Sequence, residues 1–285
     1  MATYNGRDKH GRAAVWPPGS ATLGGYATDM VVHERFGVLI PATYPLEYAG
    51  PVMCAGVTLY DPLRKYGATT GTKVGIVGVG GLGQMGIGIA KALGCTVTAI
   101  SRGETKRDLA TRCGADSYIS SADAAAMAAS AGSLDLVLNT ISTDHNYSAY
   151  SALLNAGGKH IMMGLNAALA AAMITDKLTC GRSRVKMSAI GGIRATQEVV
   201  DLCAQHKIFP TIEKIPVERI NAAYTAIERG NDSGVRYVID MSTLNEEAFQ
   251  RCTAPPPDLS VKSTGISMGA VLGELAGMLL RGRWM

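Results

Sequence analysis

Between an apolar strand pattern, Val74 to Val77, and a helical pattern, Gln84 to Leu93, the chain carries Gly78-Val79-Gly80-Gly81-Leu82-Gly83. Three glycines at that spacing, placed at a strand-to-helix junction, leave few folds open. Gly78 permits a tight turn, Gly80 lets the main chain approach a pyrophosphate, and Gly83 lets helix and strand pack closely. The phosphates then face the unpaired amides of the helix N-terminus. A bare G-x-G-x-x-G match is weak, and the strand-turn-helix context is what separates it from chance. The reading is a dinucleotide site; its bland alternative is a glycine-rich turn with no ligand. Gly86 and Gly88 inside the following helix each cost about 0.8 to 1 kcal/mol against alanine, so close packing is expected beside them.

Strand and helix patterns then alternate along KVGIVGVG, TVTAISR, SYISS, LDLVLNT, KHIMMGL and KMSAIGG. Six such strands, most separated by helical segments, predict an α/β fold: a doubly wound six-stranded parallel sheet of the Rossmann type, covered on both faces. A helical stretch from Leu46 to Tyr66 precedes it. After Gly192 the pattern continues as a helix over 195–206, a β run from Thr211 to Ile215, a helix over 219–229 and the strand VRYVIDM. Upstream, GGYATDMVVHERFGVLIP reads as two short β runs around His33-Glu34-Arg35. Residues 242–285 begin polar and end in ISMGAVLGELAGMLLRGRWM. Its apolar part is shorter than the ~20 residues of a spanning helix and contains Glu274. The tail is expected to be flexible or a loosely docked helix; its small-residue stripe leaves a partner helix or a membrane interface as the alternative.

Composition narrows the partners. A net charge of +4 from 27 basic and 23 acidic residues, with no basic run, does not suit nucleic acid. The first residues lack an apolar core of signal-peptide length, so a cytoplasmic home is the default expectation. The six cysteines, Cys54, Cys95, Cys113, Cys180, Cys203 and Cys252, show no Cys-x-x-Cys pair and read as reduced thiols.

The segment after the second strand selects the nicotinamide cofactor. An NAD site expects a carboxylate about 20 residues past the motif, accepting from the ribose hydroxyls. This chain has Ser101-Arg102 there, followed by Lys106. A hydroxyl and two cations suit a 2′-phosphate, so NADP is expected. Glu104 is the rival ribose ligand, three residues beyond the strand on what reads as a solvated loop.

TYNGRDKHG, GGYATDMVVHERF, PVMCAGVTLYDPL, VGIVGVGGLGQMG, SAIGGIRATQEVVDLC and VRYVID, in this order, resemble the zinc-dependent medium-chain alcohol dehydrogenases. Within them the chain is most similar to the cinnamyl-alcohol-dehydrogenase-like, NADP-preferring branch, over residues 3–241. The resemblance implies a cofactor domain that interrupts a β-rich, GroES-like catalytic domain. Residues 1–45 would be a remnant of that domain, 46–193 the NADP-binding domain, and 194–241 a helix and return segment. It places cofactor contacts on Thr58, on Gly78, Val79, Gly80, Gly81, Leu82 and Gly83, on Ser101, Arg102 and Lys106, on Thr140 and Gly164, and on Ser188, Ala189 and Ile190. Gln84 stands where this branch commonly has histidine.

The same resemblance makes Cys54 the third protein ligand of a catalytic zinc, a Lewis acid that would hold an alcohol oxygen during hydride transfer. Thr58, four residues on, would bring metal and cofactor to one helix face. The family's first zinc cysteine, its Gly-His-Glu motif, its four-cysteine loop and its proton relay precede the segment at which this sequence starts. Zinc is therefore expected only if those ligands are supplied. His10, His33, His145, His160 and His206 read as ordinary surface or core residues. Three functions follow as expectations. The first is an NADP(H) oxidoreductase acting on a primary alcohol or aldehyde, aromatic ones included, as a homodimer joined near residues 186–195. The second is a shortened module that binds NADP(H) without catalysis. The third is a zinc-independent reductase, which gives no reason for Cys54.

Overall fold

The computed structural model describes residues 28, 32–143, 145–163, 184–230 and 233–245. A helix α1 (Leu46–Pro51) passes through a π turn (Val52–Gly56) into α2 (Val57–Lys65). The alternating region follows as β1 (Lys73–Val77), α3 (Gly81–Ala92), β2 (Thr96–Ser101), α4 (Arg107–Arg112), β3 (Ser117–Ser120) and α5 (Ala124–Ala129). It continues as β4 (Leu134–Asn139), α6 (Tyr147–Ser151), β5 (Leu154–Met162), β6 (Val185–Met187) and α7 (Ile193–His206).

All six strands are parallel, in the order β3-β2-β1-β4-β5-β6. The order reverses between β1 and β4, which is where a doubly wound sheet opens a ligand crevice at the carboxyl ends of its strands. Successive side chains of a strand point to opposite faces, so a sheet covered on both sides needs near-continuous apolar strands. On one face Val74, Ile76, Val97, Ala99, Leu136, Leu138 and Ile161 pack with α2, α3 and α7 through Leu59, Ile87 and Val199. On the other, Val77, Ile100 and Val137 pack with Tyr150, Leu153 and Leu154.

The helical glycines answer to this packing. A Cβ on Gly86 would lie 3.1 Å from Leu59 Cδ1, and one on Gly88 would lie 3.0 Å from Ile208 Cγ2. Both positions hold α3 against its neighbours at a separation that a side chain would widen.

A second, two-stranded sheet pairs β7 (Ile212–Pro216) in parallel with β8 (Arg236–Asp240), with α8 (Ile220–Arg229) between them. The sixth strand of the main sheet is shorter than KMSAIGG: its ladder covers Val185–Met187, and the chain leaves after Ser188 N–H bonds Met162 O at 3.0 Å.

The second β run expected near His33 does not pair as a strand. Glu34–Phe36 is a 3-10 turn capped by His33, whose Nδ1 accepts from Arg35 N–H at 3.2 Å. Leu39 N–H donates to Gln197 Oε1 at 2.8 Å, and Leu39 O accepts from Gln197 Nε2 at 2.9 Å. One side-chain amide satisfies the donor and acceptor that a neighbouring strand would otherwise take. Most of the first run lies outside the described residues, as does nearly all of the 242–285 tail. Among the described residues, no helix is long and apolar enough to cross a membrane.

Candidate functional site

The glycine turn sits at the reversal of strand order, and Gly78 and Gly83 each have a steric reason. Gly78 adopts φ 90°, and its N–H bonds Ile100 O at 2.8 Å. A Cβ there would meet Thr140 Oγ1 at 2.6 Å. Thr140, at the end of β4, donates its hydroxyl to Val77 O at 2.8 Å and its N–H to the same oxygen at 2.9 Å, closing the back of the turn. Gly83 is tighter still, since its Cβ would lie 1.8 Å from Gly78 O. Gly80 differs: it is the N-cap of α3, it makes no side-chain cap bond, and nothing lies within 4 Å of an added Cβ. The helix therefore presents its first amides to an open concavity, the arrangement that suits a phosphate. Val79 is buried, whereas Leu82 lines the mouth.

At the end of β2, Lys106 turns back so that Nζ lies 3.5 Å from Val79 O, while Ser101 is half-buried and Arg102 exposed. Glu104 is occupied elsewhere by an ion pair with Arg107 Nε. The Arg107 guanidinium also lies 4.7 Å from the centre of the Tyr118 ring, whose hydroxyl donates to Gly103 O at 2.6 Å. Glu104 thus faces a cation of its own loop, while Lys106 leans toward the turn.

The facing wall was not expected from the sequence. A cleft of about 580 Å³ opens between Gly80, Gly81, Leu82 and Thr140 on one side and Ile215, Tyr224, Ile227 and Arg236 on the other. Arg236 Nε lies 3.2 Å from where a Gly81 Cβ would be, and Gly234 O lies 2.7 Å from it. Gln84 ties the walls together: its Nε2 donates to Ser233 O at 3.0 Å and its Oε1 accepts from Thr211 at 2.9 Å. Arg236 is more than 150 positions from the glycine turn, so no local pattern joins the two. Its signal in the sequence is a cation at the start of the otherwise apolar run VRYVI.

Cys54 lies in the π turn and is exposed; Thr58 is buried, with its hydroxyl donating to Cys54 O at 2.7 Å. The group facing the Cys54 sulfur is Arg236, with Nη1 at 3.9 Å. A protein zinc site needs three or four ligands of His, Cys, Asp or Glu, and among the described residues no group of three such side chains comes together. The described residues do not fit a zinc ion. Ser188, Ala189 and Ile190 follow β6 at the same edge of the sheet as the turn, outside the cleft wall. Gly164 lies outside the described residues.

His160 keeps its ordinary reading as a satisfied core residue. It is fully buried on β5, and Asn139 Nδ2 lies 3.2 Å from its Nε2 and 2.9 Å from His145 Nε2. Asn139 Oδ1 accepts from Ile141 N–H, which orients the amide so that Nδ2 is the donor to both rings. Each Nε2 is then bare and each Nδ1 carries the proton, donated to Thr143 O by His145 and to Ser151 Oγ by His160.

A family model described as "Zinc-binding dehydrogenase" matches residues 81–205. A "Probable cinnamyl alcohol dehydrogenase 7/8" of Picea abies is 42% identical over 80% of this chain and 64% of its own length. The "Aldehyde reductase YahK" of Escherichia coli is 42% identical over 79% and 64% respectively. A "Probable formaldehyde dehydrogenase AdhA" of Bacillus subtilis is 40% identical, over 86% of this chain and 67% of its own. The chain belongs to the zinc-dependent medium-chain alcohol dehydrogenases. Solved structures agree. A cinnamyl alcohol dehydrogenase from Sorghum bicolor has TM-score 0.70 at 36% identity, and one from Helicobacter pylori, complexed with NADP(H), has TM-score 0.70 at 34%. Each matches 80% of this chain and 64% of the solved chain. The chain spans about 64% of the length of the first curated relatives it matches.

Proposed function

We propose that this chain is the NADP(H)-binding part of an oxidoreductase that moves hydride reversibly between the cofactor and a primary alcohol or its aldehyde, aromatic ones included. The observation that carries the cofactor choice is the loop after β2. Lys106 leans over the turn toward Val79 O, while Glu104 is held by Arg107. A 2′-phosphate gains charge-assisted hydrogen bonds from Lys106, Arg102 and Ser101 that NAD cannot use.

The remaining residues divide the cofactor among them. The α3 amides and Arg236 hold the pyrophosphate from opposite sides, and Gly80 leaves the space it enters. Thr58, Thr140, Gly164 and the main chain of Ser188, Ala189 and Ile190 orient the nicotinamide end. When bound, NADP(H) supplies the hydride acceptor or donor. The resemblance to solved alcohol dehydrogenases supports the substrate class. The edge strand Val185–Met187, with Met187 about half exposed, supports a homodimer built by joining sheet edges. Free thiols at Cys54, Cys95, Cys113 and Cys203 support a cytoplasmic location.

A second reading, a module that binds NADP(H) without turnover, is favoured by Arg236, and not a second metal ligand, facing Cys54. Calorimetric titration with NADP⁺ and NAD⁺ tests the cofactor choice. Binding of NADP⁺ at least about tenfold tighter, with the preference lost in Lys106→Gln, is expected; equal or tighter NAD⁺ binding overturns it. Alcohol-dependent NADPH formation then separates enzyme from binding module.

A further inference from the structure

Three helices packed on the main sheet, α3, α4 and α7, end beside one cleft that runs along α3 from Gln84, next to the glycine turn, to Lys91 and Ala92, with its cations at the far end. The cleft encloses about 600 Å³ and is floored by Leu109 and Ile208, with Arg112, His206 and Lys207 on its rim. We propose that it is a second anion site, which binds a small polyphosphate.

Cations at helix C-termini are ordinary, because they offset the partial negative charge there. Here, however, the main chain closes the helix ends by itself. Cys95 N–H bonds Ala90 O and Gly94 N–H bonds Lys91 O after α3; Ala115 N–H bonds Ala110 O and Gly114 N–H bonds Thr111 O after α4; Ile208 N–H bonds Cys203 O after α7. Lys91 is already used, with Nζ 2.8 Å from Asp116 Oδ1. The side chains of Arg112, His206 and Lys207 have no hydrogen-bond or ionic partner among the described residues. All three are exposed residues that line the same concavity.

The backbone supplies a separate observation. The turns that follow α3 and α4 use glycines in the left-handed conformation, Gly94 at φ 82° and Gly114 at φ 101°. The turn that ends α7 uses Lys207 at φ 53°, and it is the one non-glycine residue at positive φ among those described. Glycine adopts this conformation freely and a side chain does not, so a glycine here would serve the turn better. A lysine in the left-handed C-cap costs about 1 to 2 kcal/mol that a glycine would not, and its ammonium stands at the cleft with Arg112 and His206, where an anion would use it. Two cations and an imidazole around a cleft of this size suit adjacent phosphate groups better than a single one.

The test is an amide chemical-shift titration of the full chain with inorganic pyrophosphate. Saturable shifts at 112–114 and 206–209 are expected, weakened about tenfold or more in Lys207→Gly and in Arg112→Gln. Lys207→Gly relieves the strained turn, so a melting temperature no lower than the parent's is expected and its loss of binding cannot be laid to misfolding. Shifts confined to 78–83, variants that bind as the parent does, or no saturation by about 10 mM would each overturn the proposal.

Discussion

A methyl group added to Gly83 would lie 1.8 Å from the carbonyl oxygen of Gly78, five residues earlier in the same turn. No rotamer can relieve that contact, because both atoms belong to the main chain or are fixed to it. Gly83→Ala must therefore push α3 away from β1, and a loss of about 2 to 3 kcal/mol in urea unfolding is expected. Gly80→Ala meets open space, so it should unfold like the parent yet bind dinucleotide less well. Equal stability of the two variants would contradict the assignment of helix packing to one glycine and ligand approach to the other.

Arg236 stands across the cleft from the α3 N-terminus. Arg236→Gln should weaken dinucleotide binding about tenfold, as expected for one lost charge-assisted contact, and leave the unfolding midpoint nearly unchanged because the side chain is partly exposed. Calorimetry and urea titration on the same preparation check both halves. A variant that unfolds early but binds normally would make Arg236 a structural tie between the two sheets.

The cysteines differ in reactivity. Cys54 is exposed, whereas burial pushes the Cys203 thiol up to about 12. Because the thiolate is the nucleophile, brief alkylation at pH 8 followed by peptide mass spectrometry should modify Cys54 and spare Cys203 until denaturant is added. Modification of Cys203 in the native chain would mean that α7 opens from the sheet on the time scale of the reaction.

Asn139 donates to two imidazoles and accepts from Ile141. Asn139→Leu removes all three bonds at a fully buried position, and a cost of at least about 2 kcal/mol is expected in urea unfolding. A smaller cost would show that the rings find other donors.

The main sheet was legible because its central strands β1 and β4 are buried on both faces. Runs such as Val74 to Val77 and Leu136 to Leu138 must then be apolar, and nothing else in the chain competes for them. The glycine turn was legible for a steric reason that lies within six residues. What escaped depends on distance in the sequence. Leu39 reads as part of a strand, but its main-chain groups are taken by Gln197, 158 positions away. Arg236 reaches the cleft beside the glycine turn only because the segment leading into β8 packs against the start of α3. The π turn at Val52–Gly56 is also silent: its residues are ordinary helix formers in pattern, and one surplus residue changes hydrogen bonding without changing composition.

That surplus residue acts as a phase shifter between α1 and α2. Each residue of an α-helix advances the chain by about 100°. Deleting Ala55 would restore a plain helix and turn α1 by about 100°, a little over a quarter of a revolution, against α2. Cys54 would then swing off the side that faces Arg236, while Thr58, anchored in α2, stayed where it is. Within this short helix the residue count, as much as residue identity, decides whether the sulfur looks into the cleft, and a single-codon deletion would be a sharper probe of it than any substitution.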